Sequence, residues 1–230
     1  MLLIVANHHD LIAPWLAQRW RAHDALVLTP LDMSSAGWRH YVGECGNSRA
    51  IIAGREISSG QINGVVTRMP AVFEWELGHV VTADRQYVAA EMSAFLLAWL
   101  SSLSCPMLNR PTPHGLSGPN WNREHWVTLA AKLGIPVRPV HRTSALACSN
   151  PVDGLACQFV VVGDRCFPSA ASQLCDHARA LAAAADTPLL ALEFTGPEPD
   201  AEFVNANLLP DVNSPAIADA MLAYLLRSEC

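Results

Sequence analysis

Three polar residues near the end of the chain stand at the spacing of a metal site. In "LEFTGPEPDAEFVNANLLPDV", Glu193 lies in one short apolar strand, and Asn205 and Asn207 alternate in a second. Alternate positions of a strand share a face, so an antiparallel pairing of the two strands brings three oxygen donors together. Hard cations such as Mg²⁺ take such oxygens and keep phosphate oxygens as remaining partners. Only Glu193 carries a charge, however, and attraction to a divalent ion weakens with each charge removed. As a metal–nucleotide site the set is under-powered.

A second group follows the first apolar strand. Asn7, His8, His9 and Asp10 fill the strand-to-helix junction, the place where open α/β sheets hold ligands, and Arg68 ends another strand in "GVVTRMP". These residues suit a metal or a small polar ligand; the plainer reading is a solvated loop with Asp10 near a helix N-terminus. No G-x-G-x-x-G, G-x-x-x-x-G-K-[ST], G-x-S-x-G or His-x-x-x-His motif occurs. Rossmann, P-loop, serine-hydrolase and zincin readings therefore lack their anchors. No residue is put forward as catalytic. Cys148, Cys157, Cys166 and Cys175 recur every nine residues without a C-x-x-C pair. They read as small buried hydrophobes, with a metal cluster the remote alternative. Trp121 and Trp126 read as structural.

The elements that must position these groups are short. "LLIVA", "ALVLTP", "RAIIAG" and "GVVTR" read as strands, "LIAPWLAQRWRAH" as an amphipathic helix, and "REISSGQING" as a turn. Their alternation predicts a parallel α/β layer. A long helix is expected from about Ala83 to Leu103, with Asp84 in its first turn, and "CPMLN" closes an N-terminal unit over residues 1–110. The Pro/Gly-rich segment 111–121 reads as a linker, and residues 122–230 as a second unit. There, Asn122 is the expected N-cap and Gly134 the C-terminal stop of a helix. "CQFVVVGDRCF" predicts a hairpin at Gly163-Asp164, "ASQLCDHARALAAAA" a helix, and "SPAIADAMLAYLLRS" a terminal helix with Pro in its first turn.

Bulk composition narrows the class. The 230 residues are 51% apolar and 16% charged, as in a folded protein with a large interior. With 15 basic and 21 acidic residues the net charge is −6, which gives nucleic acid no electrostatic footprint. The first residues lack the charged and apolar regions of a signal peptide, and the longest apolar run is broken by Glu91. The expectation is a cytoplasmic protein with reduced thiols and no membrane contact.

These pieces, in this order, resemble the ATP-grasp proteins, in particular the peptide-modifying carboxylate–amine ligases of the microviridin-ligase and ribosomal-protein glutamate-ligase branch. "MLLIVANHHDLIAPWLAQRW", "GVVTRMP" and "DRQYVAAEMSAFLLAWLSSLSCPMLNRP" are similar to the pre-ATP-grasp domain. "NREHWVTLAAKLGIPVRPVHRTS" resembles the opening of the core, "FVVVGDRCF" its Val-x-Gly hairpin, and "LLALEF…FVNANLLPDV" its metal-binding end. The resemblance implies that the family's metal-binding Asp falls on Glu193, its bridging Glu on Asn205 and its Asn on Asn207. It also implies that Arg123 and Arg165 face nucleotide phosphate. The family carries a whole subdomain where this chain has only the stretch from His141 to Cys157, too short for even one βαβ unit of about 30 residues.

The implied architecture is a pre-ATP-grasp-like parallel α/β domain followed by a shortened ATP-grasp core lacking one subdomain. The implied function is that of a homologue without self-contained ligase activity, acting as a binding or partner subunit in a peptide- or amino-acid-modifying pathway. Its partner would be a protein or peptide, with a homodimer as a further expectation. The alternative is an ATP-dependent carboxylate–amine ligase with a minimal site. Mg²⁺ and ATP are cofactors under that alternative alone. Asn7, His8, His9, Asp10 and Arg68 are the candidates for a small ligand.

Overall fold

The computed structural model describes residues 1–43, 48–140, 157–168 and 173–227. They form two compact units, Met1–Asn120 with Asp211–Cys230, and Trp121–Pro210. Cys148 and most of the His141–Cys157 stretch lie outside the described residues.

The first unit is built on a parallel sheet. In chain order it contains β1 (Leu2–Ala6), α1 (Ile12–Arg19), β2 (Ala25–Leu28), a short α2 (Pro30–Met33), β3 (Arg49–Ile52) and β4 (Arg55–Ser58). It continues with β5 (Gly64–Arg68), α3 (Arg85–Ser101) and β6 (Met107–Leu108). The sheet order is β2-β1-β5-β6, every pairing parallel. All five residues of β1 and of β5 are buried, which is why both read as unbroken apolar runs.

One strand of the expected layer is not in it. β3 pairs only with β4, antiparallel, as a separate hairpin, and the segment read as a turn after "RAIIAG" is the second arm. Ala53 and Gly54 turn it with φ of 50° and 73°, the positive values that tight hairpins require. Alanine is a rare occupant of that conformation, so the turn carried a weak signal. Arg55 at the start of β4 grips Asp24 through both carboxylate oxygens, at 2.9 and 3.2 Å. This hydrogen bond and the adjacent charge hold the Asp24 carboxyl below its ordinary value. A depressed carboxyl stabilises the fold above its unfolded pKa, and the contribution is lost as pH falls through the folded one. Both side chains are half-exposed, so the effect is small. In an NMR titration the Asp24 midpoint should lie below about 3.9 and rise toward it in Arg55→Ala; an unmoved midpoint would refute the pairing.

The second unit comprises α4 (Arg123–Lys132), β7 (Cys157–Val162), β8 (Arg165–Phe167), α5 (Gln173–Ala184), β9 (Leu189–Phe194) and β10 (Phe203–Asn207). Its sheet runs β10-β9-β7-β8 with every pairing antiparallel. Asn122 caps α4 by accepting the His125 amide at 3.1 Å, and Gly134 follows the helix at φ 73°. Gly163, at φ 61°, turns the β7–β8 hairpin. The core face carries a row of edge-on rings, Phe159–Phe194 at 5.7 Å and Phe194–Phe203 at 5.9 Å. Trp126 is buried in the same core with Trp121 edge-on to it, the structural role expected of both.

The terminal helix α6 (Pro215–Leu225) belongs to the first unit, where the reading along the chain placed it with the second. It presses on the start of β5. A Cβ at Gly64 would meet Leu225 Cβ at 2.9 Å and Leu2 Cδ2 at 3.0 Å, so glycine is required by the close approach. Among the described residues no helix is long and apolar enough to cross a membrane.

Candidate functional site

The parallel register of β1 and β5 sets Ala6 beside Arg68. Asn7 to Asp10 and Arg68 therefore share the carboxyl edge of the sheet, and β6 delivers Asn109 to it. Asp10 works with both oxygens. Its Oδ1 accepts the amides of Ile12 and Ala13 at 2.8 and 2.9 Å, capping α1, and its Oδ2 accepts Arg68 Nε at 2.7 Å. The pair is withdrawn from water, at 6% exposure for Arg68 and 11% for Asp10.

Asn7 Nδ2 donates to Glu76 Oε2 at 2.6 Å and to the Ala71 carbonyl at 3.1 Å, and the His8 amide donates to Glu76 Oε1 at 2.7 Å. Thr67 Oγ1 donates to the Asn109 carbonyl at 2.7 Å and accepts its amide at 2.9 Å. The imidazoles of His8 and His9 are exposed, with centroids 5.1 Å apart. The structure thus brings together Asn7, the His8 backbone, Asp10 and Arg68, and leaves the two imidazoles outside that network. Glu76, Thr67 and Asn109 join it without having been singled out in the sequence. Glu76 lies in "FEWELG", which matches no motif; Thr67 was signalled only as the neighbour of Arg68. With Asp10 and Arg68 neutralising each other and Glu76 engaged on both oxygens, this edge is a closed polar network that braces two loops.

The second candidate group lies in the other unit. Asn205 stands directly opposite Glu193, Gln158 flanks Glu193 on β7, and Asn207 stands opposite Ala191. Glu193, Asn205 and Asn207 therefore share the sheet face turned away from the phenylalanine row. A register shift between Phe203 and Asn205 delivers that alignment. Asn207 spends its amide locally, accepting the Leu209 amide at 2.9 Å and donating to the Leu209 carbonyl at 3.3 Å. Glu193 is the lone carboxylate of the three.

Arg123 Nε donates to the Val204 carbonyl at 2.9 Å, which fastens α4 to β10. Arg165 is exposed on the edge strand, opposite Val162, while Glu193 is opposite Gln158. From strand spacing and rise the two are roughly 16 Å apart. Among the described residues no three His, Cys, Asp or Glu side chains are grouped to hold a metal ion. One carboxylate, one amide tied into a turn and a distant guanidinium make a donor set short of charge for Mg²⁺ and a nucleotide. A groove of about 640 Å³ runs along α4 past Trp121, His125 and Lys132 and takes in neither group.

No family profile and no curated protein sequence matches the chain. Solved structures match it over nearly its whole length. One is a RiPP-associated ATP-grasp ligase from Chryseobacterium gregarium, in complex with ADP and a leader and core peptide. It aligns with a TM-score of 0.69 at 11% identity, over 97% of this chain and 96% of that one. The chain has the ATP-grasp fold.

The macrocyclase MdnC from Microcystis aeruginosa MRC, bound with the precursor peptide MdnA, aligns with a TM-score of 0.70 at 12% identity over 99% of both chains. A RimK domain protein ATP-grasp from Sphaerobacter thermophilus gives 0.56 at 12%, over 99% of this chain and 100% of that one. At such identities the likeness is one of fold. Within an ATP-grasp fold, the positions that the sequence resemblance assigned to metal binding are those that the β9–β10 register sets face to face.

Proposed function

We propose that the chain is a degenerate ATP-grasp homologue, shortened by one subdomain ahead of β7. It has lost self-contained ligase activity and acts as a binding or partner subunit in a peptide- or amino-acid-modifying pathway. The observation that carries this reading is Asn205 opposite Glu193: where the resemblance implies a second carboxylate, the sheet presents an amide. The length of the chain before β7 supports the missing subdomain. The precursor peptides in the similar structures support a peptide partner.

Calorimetry with Mg²⁺ and ATP tests the reading. No binding is expected in the micromolar range, and micromolar affinity sinks the proposal. Release of ADP that depends on an amino acid or peptide, and that Glu193→Ala abolishes, would install the ligase alternative in its place.

A gain of function makes the complementary test. Asn205→Glu sets two carboxylates about 5 Å apart across the strands. Without metal they repel; with Mg²⁺ at ten times the dissociation constant the fold gains about 1.4 kcal/mol. The melting midpoint of Asn205→Glu should rise with millimolar Mg²⁺ while that of the parent stays put. Equal responses in the two proteins would discard Asn205 as the lost ligand position.

A further inference from the structure

Two thiols meet inside the second unit. Cys166 is the middle residue of β8 and Cys175 lies in the first turn of α5; they are 5% and 1% exposed. Their side chains share a hydrogen bond, and Cys175 Sγ donates to the Pro168 carbonyl at 3.7 Å. Both belong to the apolar core that α5 closes over the sheet. Burial pushes the Cys166 thiol well above its ordinary value, and the bond to Cys175 pushes it further.

A solitary buried thiol serves as a small hydrophobe. Two in mutual contact are also a dithiol, one two-electron oxidation away from a disulfide. Access comes from the position of β8. It is the three-residue edge strand of its sheet, and Arg165 beside Cys166 is exposed. Short edge strands open locally far more often than the whole fold does. Cys157 stands at the opposite end of β7, across from Phe194, and Cys105 lies in the other unit, so neither shares this contact.

We infer that Cys166 and Cys175 form a redox-modification site, at which a peroxide joins them in a disulfide that ties the β7–β8 hairpin to α5. One sulfur attacks a peroxide oxygen; the O–O bond breaks, water leaves, and a sulfenic acid remains. The second sulfur then attacks the sulfenic sulfur, the S–O bond breaks, and a second water departs with the remaining thiol proton. Two thiols and one hydrogen peroxide thus give one disulfide and two waters, two electrons passing from sulfur to oxygen. The bond anchors the strand that carries Arg165, and because burial holds Cys166 protonated, the reaction is slow.

The experiment treats the native full-length protein with hydrogen peroxide, alkylates the remaining thiols, and reads intact mass and crosslinked peptides over time. The expected product has lost two hydrogens, contains one crosslink joining Cys166 to Cys175, and reverts with dithiothreitol. Its melting midpoint should rise by roughly 5 °C, since the bond closes a loop in the unfolded chain. Cys166→Ser and Cys175→Ser should each lose the crosslink, while mapping of the parent protein needs no variant to fold. The inference is overturned if both thiols remain alkylatable, if either links to another cysteine, or if either passes to sulfinic acid instead.

Discussion

Arg68→Met is expected to destabilise the first unit by about 3–5 kcal/mol, because it strands the buried Asp10 carboxylate. That is a large share of the 5–15 kcal/mol that holds a typical domain together. Arg68 is the last residue of β5, and its Nε lies 2.7 Å from Asp10 Oδ2 at a nearly dry sheet edge. Methionine keeps the packed stem and removes the charge, so the loss reports electrostatics more than volume. Asp10→Asn retains an oxygen to cap α1 and leaves Arg68 as the unpaired charge; it should cost a similar amount. The double variant should cost markedly less than the sum of the two, since neither charge is then left alone in the interior. Urea denaturation of the four proteins measures the cycle. A loss below about 1 kcal/mol for Arg68→Met would mean that water reaches the pair and that this edge is open to ligands.

Phe203→Ala should cost the second unit about 3–5 kcal/mol. The ring is fully buried and ends the edge-on row through Phe194 to Phe159. Its backbone is tied on both sides, the amide donating to the Pro136 carbonyl at 2.7 Å and the carbonyl accepting the Arg138 amide at 2.9 Å. Truncation therefore leaves a cavity the strand cannot slide to fill. The position also matters to the candidate site, because the register shift that aligns Asn205 with Glu193 begins at Phe203. Amide exchange should show protection falling along β9 and β10 while β1 and β5 are unchanged. Unaltered protection in β10 would show that the register is held by other contacts.

Much of this architecture is legible in local chemistry. The Asn122 cap, the Gly134 stop and the Gly163 turn each depend on residues within one turn of the chain, and each stands where its residue type signals. The pairing of Glu193 with Asn205 was legible too, since strand, turn and strand leave little choice of register. What escaped depends on distant partners. Glu76 acquires its role from Asn7, 69 residues earlier, and nothing in its own neighbourhood announces that. The β3–β4 turn places alanine where glycine is usual, so its signal was muted. The apolar face of α6 reveals that it must be buried but not against which sheet; the answer lies in Gly64, whose missing side chain admits Leu225. The even spacing of the cysteines hid a distinction that only packing draws, for Cys166 meets Cys175 while Cys157 stands apart.

The return of α6 to the first unit has a consequence for the order of events on the ribosome. Trp121–Pro210 is a continuous stretch and can complete its sheet as soon as it emerges. The earlier-made unit cannot, because β5 waits for a helix synthesised only after the whole intervening module. The segment translated first is thus finished last, its uncovered strands awaiting a partner encoded at the far end of the message.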